Sequence, residues 1–242
     1  MPSYTWYVNS SFGSDDTSDA TDMTTPTKTI NAAKVSASAA GDDQIIEITD
    51  EGRYYEGGIQ INYNGWTVRH TASTPSRPQI LGTDVGDGAS GHAFRFGNVT
   101  GAFFQGLEMG DYANYTIHNG SQGTPQFAMS GCFLHTVPRM TYQAIQGDSW
   151  TTYKSASFES CVMYFKTAGA DAIRVEGYTK FNNCLITATL PHDDVILNSF
   201  NDLTITASFC TFIARPTVSS DGLPVVRIGK IINSIVVATS SL

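Results

Sequence analysis

Five segments in the second half of this chain share one pattern, at intervals of 23 to 29 residues. They are Ala128-Met-Ser-Gly-Cys132-Phe-Leu, Ser157-Phe-Glu-Ser-Cys161-Val-Met, Lys180-Phe-Asn-Asn-Cys184-Leu-Ile, Thr206-Ala-Ser-Phe-Cys210-Thr-Phe and Lys230-Ile-Ile-Asn-Ser234-Ile-Val. Each places Cys or Ser just before an apolar pair, and all four cysteines of the protein occupy this one slot. A fixed period in the twenties is the mark of a solenoid, whose units bury their apolar faces only by stacking.

A second register runs through Phe94, Ile117, Ile145, Ile173, Ile196 and Val226, with spacings of 23, 28, 28, 23 and 30. Each period is therefore expected to hold one short strand, a Gly, Asn or Asp turn, and a second strand carrying the small slot. Inward and outward residues alternate in several of these runs, as strands require. An antiparallel sandwich also shows many short strands. It does not oblige one side-chain type to recur once per period in two separate registers. The prediction is an all-β fold, a right-handed single-stranded parallel β-helix with a short N-terminal capping helix.

Ahead of the coils, Trp6-Tyr-Val-Asn9, Gly13-Ser-Asp-Asp16, Thr25-Pro-Thr-Lys-Thr-Ile30, Ala40-Gly-Asp42, Ile45-Ile-Glu-Ile48 and Gly52-Arg-Tyr-Tyr-Glu-Gly57 follow in order. This series resembles the opening of right-handed parallel β-helix proteins of the pectate-lyase-like superfamily, and most of all the phage virion and tailspike β-helix proteins. Such proteins begin with a strand, a Gly/Asp-rich loop and an amphipathic capping helix. The resemblance implies a fold rather than an activity, because the superfamily includes lyases, hydrolases, tailspikes, decoration proteins and adhesins. Residues 1–42 are read as strand, acidic loop and cap, and 43–242 as one continuous run of coils. Thr25 suits an N-cap and Pro26 a first helical residue. Ile30, Ala33, Ala37 and Ala40 fall near one helical face, and Gly41 ends it. A helix there covers an open solenoid edge.

Charged residues make up 15% of the 242, and the net charge is −8. The acidic balance argues against a nucleic-acid ligand, since the phosphate backbone demands a basic surface. No stretch approaches the ~20 apolar residues that span a bilayer, so membrane insertion is not expected. Met1-Pro-Ser-Tyr-Thr lacks the features of a signal peptide. That suggests synthesis in a host cytoplasm and exit inside an assembled particle, with the virion surface as the final location. The thiols are expected to be reduced and stacked in an interior ladder. No Cys or His pair has close metal-ligand spacing, and no cofactor is expected. Asp15, Asp16, Asp19 and Asp22 offer oxygen atoms to Ca²⁺, but without EF-hand spacing they read first as a solvated loop.

Pectinolytic hydrolases of the resembled superfamily carry carboxylates on successive coils, followed by a His and a basic pair. Asp171, Asp193 and Asp194 approach the first part of that pattern, and a carboxylate pair could serve glycoside hydrolysis. Arg227 with Lys230 is a stretched version of the basic element. His192 precedes the Asp pair and no histidine follows it. The favoured reading is that these aspartates start strands at turns. Tyr112, Tyr115, Trp150 and Tyr153 are candidate exposed aromatics for glycan stacking or an interface. Val225, Ile228, Ile231, Ile235 and Val237 supply an apolar C-terminal coil that another polypeptide is expected to cover.

These observations lead to the expectation of a non-enzymatic structural component of a phage-like virion, a capsid decoration protein or short spike. A homotrimer, other virion proteins and host surface polysaccharide are its expected partners. The alternative is a polysaccharide-degrading enzyme or tailspike depolymerase using Asp171, Asp193 and Asp194.

Overall fold

The protein, as a computed structural model, is described over residues 2–16, 20–71, 76–82, 91–97, 99–112, 115–119, 126–135, 145–147, 155–166, 173–175, 178–190, 197–199, 205–216 and 230–238. The chain opens with β1 (Thr5–Val8) and α1 (Ile30–Ala40). Three strands per coil follow: β2 (Ile45–Ile48), β3 (Arg53–Tyr55), β4 (Ile59–Ile61), then β5 (Thr67–Arg69), β6 (Gln79–Leu81), β7 (His92–Phe96). Next come β8 (Ala102–Gln105), β9 (Glu108–Gly110), β10 (Tyr115–Asn119), β11 (Gln126–Ser130), β12 (Phe133–His135) and β13 (Ile145–Gly147). The later coils hold β14 (Ser155–Glu159), β15 (Val162–Lys166), β16 (Ile173–Val175), β17 (Tyr178–Asn182), β18 (Leu185–Leu190) and β19 (Leu197–Ser199). The last described strands are β20 (Ile205–Ser208), β21 (Thr211–Pro216), β22 (Lys230–Ile232) and β23 (Ile235–Ala238).

The first strand of each coil stacks into a nine-stranded sheet, the second into an eight-stranded sheet and the third into a six-stranded sheet. Pairing is parallel throughout, as in β11 with β14 and β12 with β15. The fold is the right-handed parallel β-helix anticipated from the repeats. Its coils hold three strands, one more than the two registers marked. Each repeated segment, such as Ala128 to Leu134, is two strands bent about a pair of residues. Gly106, Gly131, Ser160, Asn183, Phe209 and Asn233 take left-handed backbone at this bend, with φ between 46° and 66°. Their N–H groups donate to the following coil, for example Gly131 to the Glu159 carbonyl at 3.0 Å and Asn183 to Ser208 at 3.0 Å.

The slot after each bend forms one interior column. The amide of each next coil bonds to the slot carbonyl below it: Phe133 to Leu107, Val162 to Cys132, Leu185 to Cys161, Thr211 to Cys184 and Ile235 to Cys210. The four thiols are free and almost fully buried. The slot favours Cys or Ser because a small side chain with a donor reaches the carbonyl two residues back. Cys184 Sγ lies 3.2 Å from the Asn182 oxygen, and Ser234 Oγ donates to Ile232 at 2.8 Å. Beside this column Phe158 stacks on Phe181 at 4.8 Å, and Phe96 on Phe127 at 4.9 Å. Such pairs add to area burial in an interior that is otherwise Ile, Val, Leu and Met.

The cap helix is present, but starts later than Thr25 and Pro26 suggest. Residues around Thr27 are held extended by β1, through Thr27 N–H to the Tyr7 carbonyl and Asn9 N–H to the Thr27 carbonyl. Thr29 is the N-cap, accepting from Ala32 N–H at 3.2 Å. The Glu56 carboxylate reaches over from the first coil and accepts the Ile30 and Asn31 amides, each at 2.8 Å. Burial raises the Glu56 pKa despite these bonds. Ile30, Ala33 and Ala37 are buried, while Ala40 is only half-buried. Gly41 ends the helix at φ 90°, and its carbonyl takes the Trp66 indole N–H at 2.7 Å. Among the described residues, no helix is long and apolar enough to cross a membrane.

A thiol reagent is expected to find almost no reactive cysteine in the native protein and all four after denaturation; rapid native labelling of two or more would contradict the buried column. Cys161→Asp is expected to destabilise by several kcal/mol, read from chemical denaturation, because a buried unpaired charge is costly.

Candidate active site on the third sheet

The third sheet pairs Ile59, Phe94, Ile117, Ile145, Ile173 and Leu197 in a single register ladder, in which Ile59, Phe94, Ile117 and Ile173 are buried. The sequence register placed Ile196 in that ladder. The backbone pairs Leu197 with Ile173 instead, and because side chains alternate, a one-residue slip exchanges faces. The next position on each strand forms a second register column of hydrogen-bonding residue types, Gln60, Arg95, His118, Gln146, Arg174 and Asn198. Among those whose side chains are described, Gln60 is exposed, and Arg95 and His118 are half-buried. The His92 and His118 rings approach to 5.5 Å. Burial and the nearby Arg95 guanidinium hold His92 below the ordinary imidazole pKa, so its ring is biased toward the neutral form.

From β8 onward only two residues, such as Gly131-Cys132, join the first sheet to the second, against four and nine in the first two coils. The third sheet is reached in the later coils by the segments 136–144, 167–172 and 191–196 and left by 148–154 and 200–204, with only two residues between β16 and β17. Residues positioned on a rigid sheet between long connections are a common setting for binding and catalysis. An imidazole beside a guanidinium on neighbouring strands suits a base and a group that stabilises a developing oxyanion.

A second polar assembly lies on the outer face of the second sheet. Arg53 Nε donates to Gln79 at 2.9 Å, and Gln79 donates to Glu108 at 2.9 Å. His135 bridges Glu108 through Nε2 at 3.1 Å and Asp111 through Nδ1 at 3.2 Å. Its ring lies over Gly110, where a Cβ would sit 2.3 Å from the imidazole. Sequence reasoning missed this chain and the third-sheet column, whose members are far apart in sequence.

The candidates named from sequence fall differently. Tyr112 is fully buried and donates its hydroxyl to the Glu56 carbonyl, so it presents no ring face for glycan stacking. Tyr115 opens β10 opposite His92, and its side chain lies outside the described residues. Trp150, Tyr153, Asp171, Asp193, Asp194, Arg227, Val225 and Ile228 also lie outside them. Ile231, Ile235 and Val237 are exposed in this single chain, by 44%, 60% and 37%. In the acidic loop, Asp15 accepts the Lys28 and Thr29 amides at 2.9 and 2.8 Å, and Asp22 accepts Thr24 N–H at 2.8 Å. That bond holds the Asp22 carboxyl below its usual pKa. Asp16 is exposed, and Asp19 lies outside the described residues. Asp15 and Asp22 thus tie turns with the oxygens a calcium ion would need. Among the described residues, no group of three or more His, Cys, Asp and Glu is arranged to hold a metal.

Against known proteins, no family model matches the chain, and no curated protein matches it significantly. Solved structures do match its fold. Pectin methylesterase PemA from Erwinia chrysanthemi aligns at a TM-score of 0.63 with 15% identity, over 98% of this chain and 81% of that one. A pectin methylesterase in complex with a hexasaccharide aligns at 0.55 with 16% identity, over 98% and 81%. The pectin methylesterase from Aspergillus niger aligns at 0.52 with 15% identity, over 98% and 86%. The architecture is therefore the pectate-lyase-like parallel β-helix. These likenesses correct the expectation of a non-enzymatic virion component. The proteins that share this fold along nearly the whole chain are enzymes, and they favour the polysaccharide-acting alternative.

Two outcomes follow from the geometry. Gly110→Ala is expected to cost about 1–3 kcal/mol by overpacking against His135; an unchanged denaturation midpoint would show that the ring is free to move aside. As pH falls through the ordinary imidazole value, His92 takes up its proton in the unfolded chain before the folded one. Stability from this group is therefore lost on acidification, and His92→Asn is expected to flatten the fall in melting temperature between pH 7.5 and about 5.5.

Proposed function

We propose that the protein is a polysaccharide-modifying enzyme whose substrate lies along the outer face of the third sheet, and that ester hydrolysis on an acidic glycan is its reaction. The observation that carries the proposal is the column Gln60, Arg95, His118, Gln146, Arg174, Asn198. It runs across successive strands, parallel to the solenoid axis. A polymer lying that way meets one residue of the column per strand, about every 4.8 Å. Two of its six members are arginines, in a chain whose net charge is −8. Cations at those positions suit carboxylates on the polymer and the oxyanion of an ester under attack. His118, with His92 beside it, is placed to take a proton from water. The pectin methylesterase neighbours supply the reaction class and the choice of a uronic-acid substrate to try first.

Glycosidic cleavage is the second reading, resting on Asp171 two residues before β16 and Asp193 and Asp194 shortly before β19. The two are separated by product. Esterified pectin is offered to the purified protein, with methanol release, new reducing ends and unsaturated products each measured. Methanol release without the other two is expected. Arg95→Ala is expected to lower kcat/KM by about a hundredfold, the scale of one lost oxyanion contact, with the fold intact. Reducing ends that vanish in Asp193→Ala or Asp194→Ala would favour the second reading. No binding and no product with any acidic glycan would sink both.

A further inference from the structure

The thiol column contains chemistry that no reaction on the outer face uses. All four cysteines of the protein stand in consecutive coils of one slot, with Leu107 before them and Ser234 after them. Leu107 shows that the slot admits a larger apolar residue, and Ser234 that a hydroxyl satisfies its hydrogen bond. Neither packing nor that hydrogen bond alone requires sulfur four times in succession. What sulfur adds is affinity for soft metal ions.

The spacing suits such an ion. Parallel strands lie about 4.8 Å apart, and a metal–thiolate bond to a d¹⁰ ion such as zinc is about 2.3 Å. Two bonds in line therefore span about 4.6 Å, close to one strand step. Four sulfurs in a straight row cannot surround one ion as a tetrahedron, but they form two adjacent pairs.

We propose that the column is a binding site for a soft monovalent cation of the copper(I) and silver(I) class, held linearly between Cys132 and Cys161 and, in a second site, between Cys184 and Cys210. In each site one thiol loses its proton to solvent and becomes a thiolate, and its neighbour coordinates as the neutral thiol. Cation and thiolate cancel, so the buried pair gains no net charge, and no electron is transferred. Carbonyls complete the surroundings: Cys132 Sγ lies 3.6 Å from the Phe104 oxygen and Cys184 Sγ 3.5 Å from that of Phe158. Access is by opening of the coil of β22 and β23, whose Ile231 and Ile235 remain exposed, so loading is slow.

The test is anaerobic titration of the full chain with silver(I), the redox-inert member of the class. Expected are saturation at two ions per chain, about one proton released per ion, an ultraviolet thiolate-to-metal band and a melting temperature raised by several degrees. Cys161→Ser is expected to halve the stoichiometry. A variant with serine at all four positions should bind none; should it fail to fold, Cys132→Ala alone serves, and one ion is expected. A melting temperature that silver leaves unchanged or lowers would overturn the site, because thiols ligated only in the unfolded chain act in that direction. So would four ions per chain, or equal binding by the serine variant.

Discussion

From β8 onward, every described coil of this solenoid turns on one backbone constraint, the left-handed residue between the first and second sheets. It bends the chain within two residues, so the next strand starts on a new face of the same core. L-residues other than Gly take that conformation at a cost, with Asn the least penalised. Here Ser160, Asn183, Phe209 and Asn233 take it as well as Gly106 and Gly131. What holds them there is the ladder itself: each bend donates its N–H to the coil above, and the slot carbonyl after it accepts from that coil as well. A bend that relaxed would leave both groups unpaired beside a buried column, where an unmade hydrogen bond costs about 1–3 kcal/mol. The strain in one coil is therefore maintained by its neighbours.

The same constraint makes the interior strict and leaves the outside free. Slot residues, phenylalanines and the Ile59-to-Leu197 ladder must repeat because each packs on its own kind one coil away. Outward residues owe nothing to stacking and can differ from sheet to sheet. The second sheet begins with the Arg53-to-His135 polar chain and turns apolar at Val162, Tyr164 and Leu185, all exposed. The third keeps hydrogen-bonding residue types along its whole described length.

This division explains what could be read from the sequence. The slot and the Phe94–Ile173 ladder were legible because interior stacking enforces a period. The third strand per coil was not, since four residue types occupy the bend and no glycine signature marks it. The helix start was misplaced because Pro26 has the right local chemistry, yet Thr27 bonds to β1 across nineteen intervening residues. The polar column was invisible for a related reason. Gln60 and Arg95 are register neighbours 35 positions apart, while Arg95 and His118 are only 23 apart. No fixed offset in sequence finds both. Taking Ile196 for Leu197 would also have turned Asn198 inward.

The aspartates that first suggested glycosidase chemistry precede, in sequence, strands of the sheet that carries the column. Asp171, Asp193 and Asp194 stand just before β16 and β19, two of the strands that carry the column. An enzyme needs its reacting groups on the most rigid part of the scaffold and its variable contacts in the connections. Among the described residues, the third sheet carries a register-locked row of amide, guanidinium and imidazole residue types. Its neighbour, the second sheet, has a histidine locked between two carboxylates over a glycine, which holds those side chains on one another rather than on a ligand. The second-sheet cluster braces its own wall, and the third-sheet column is the one that the proposed function assigns to a substrate.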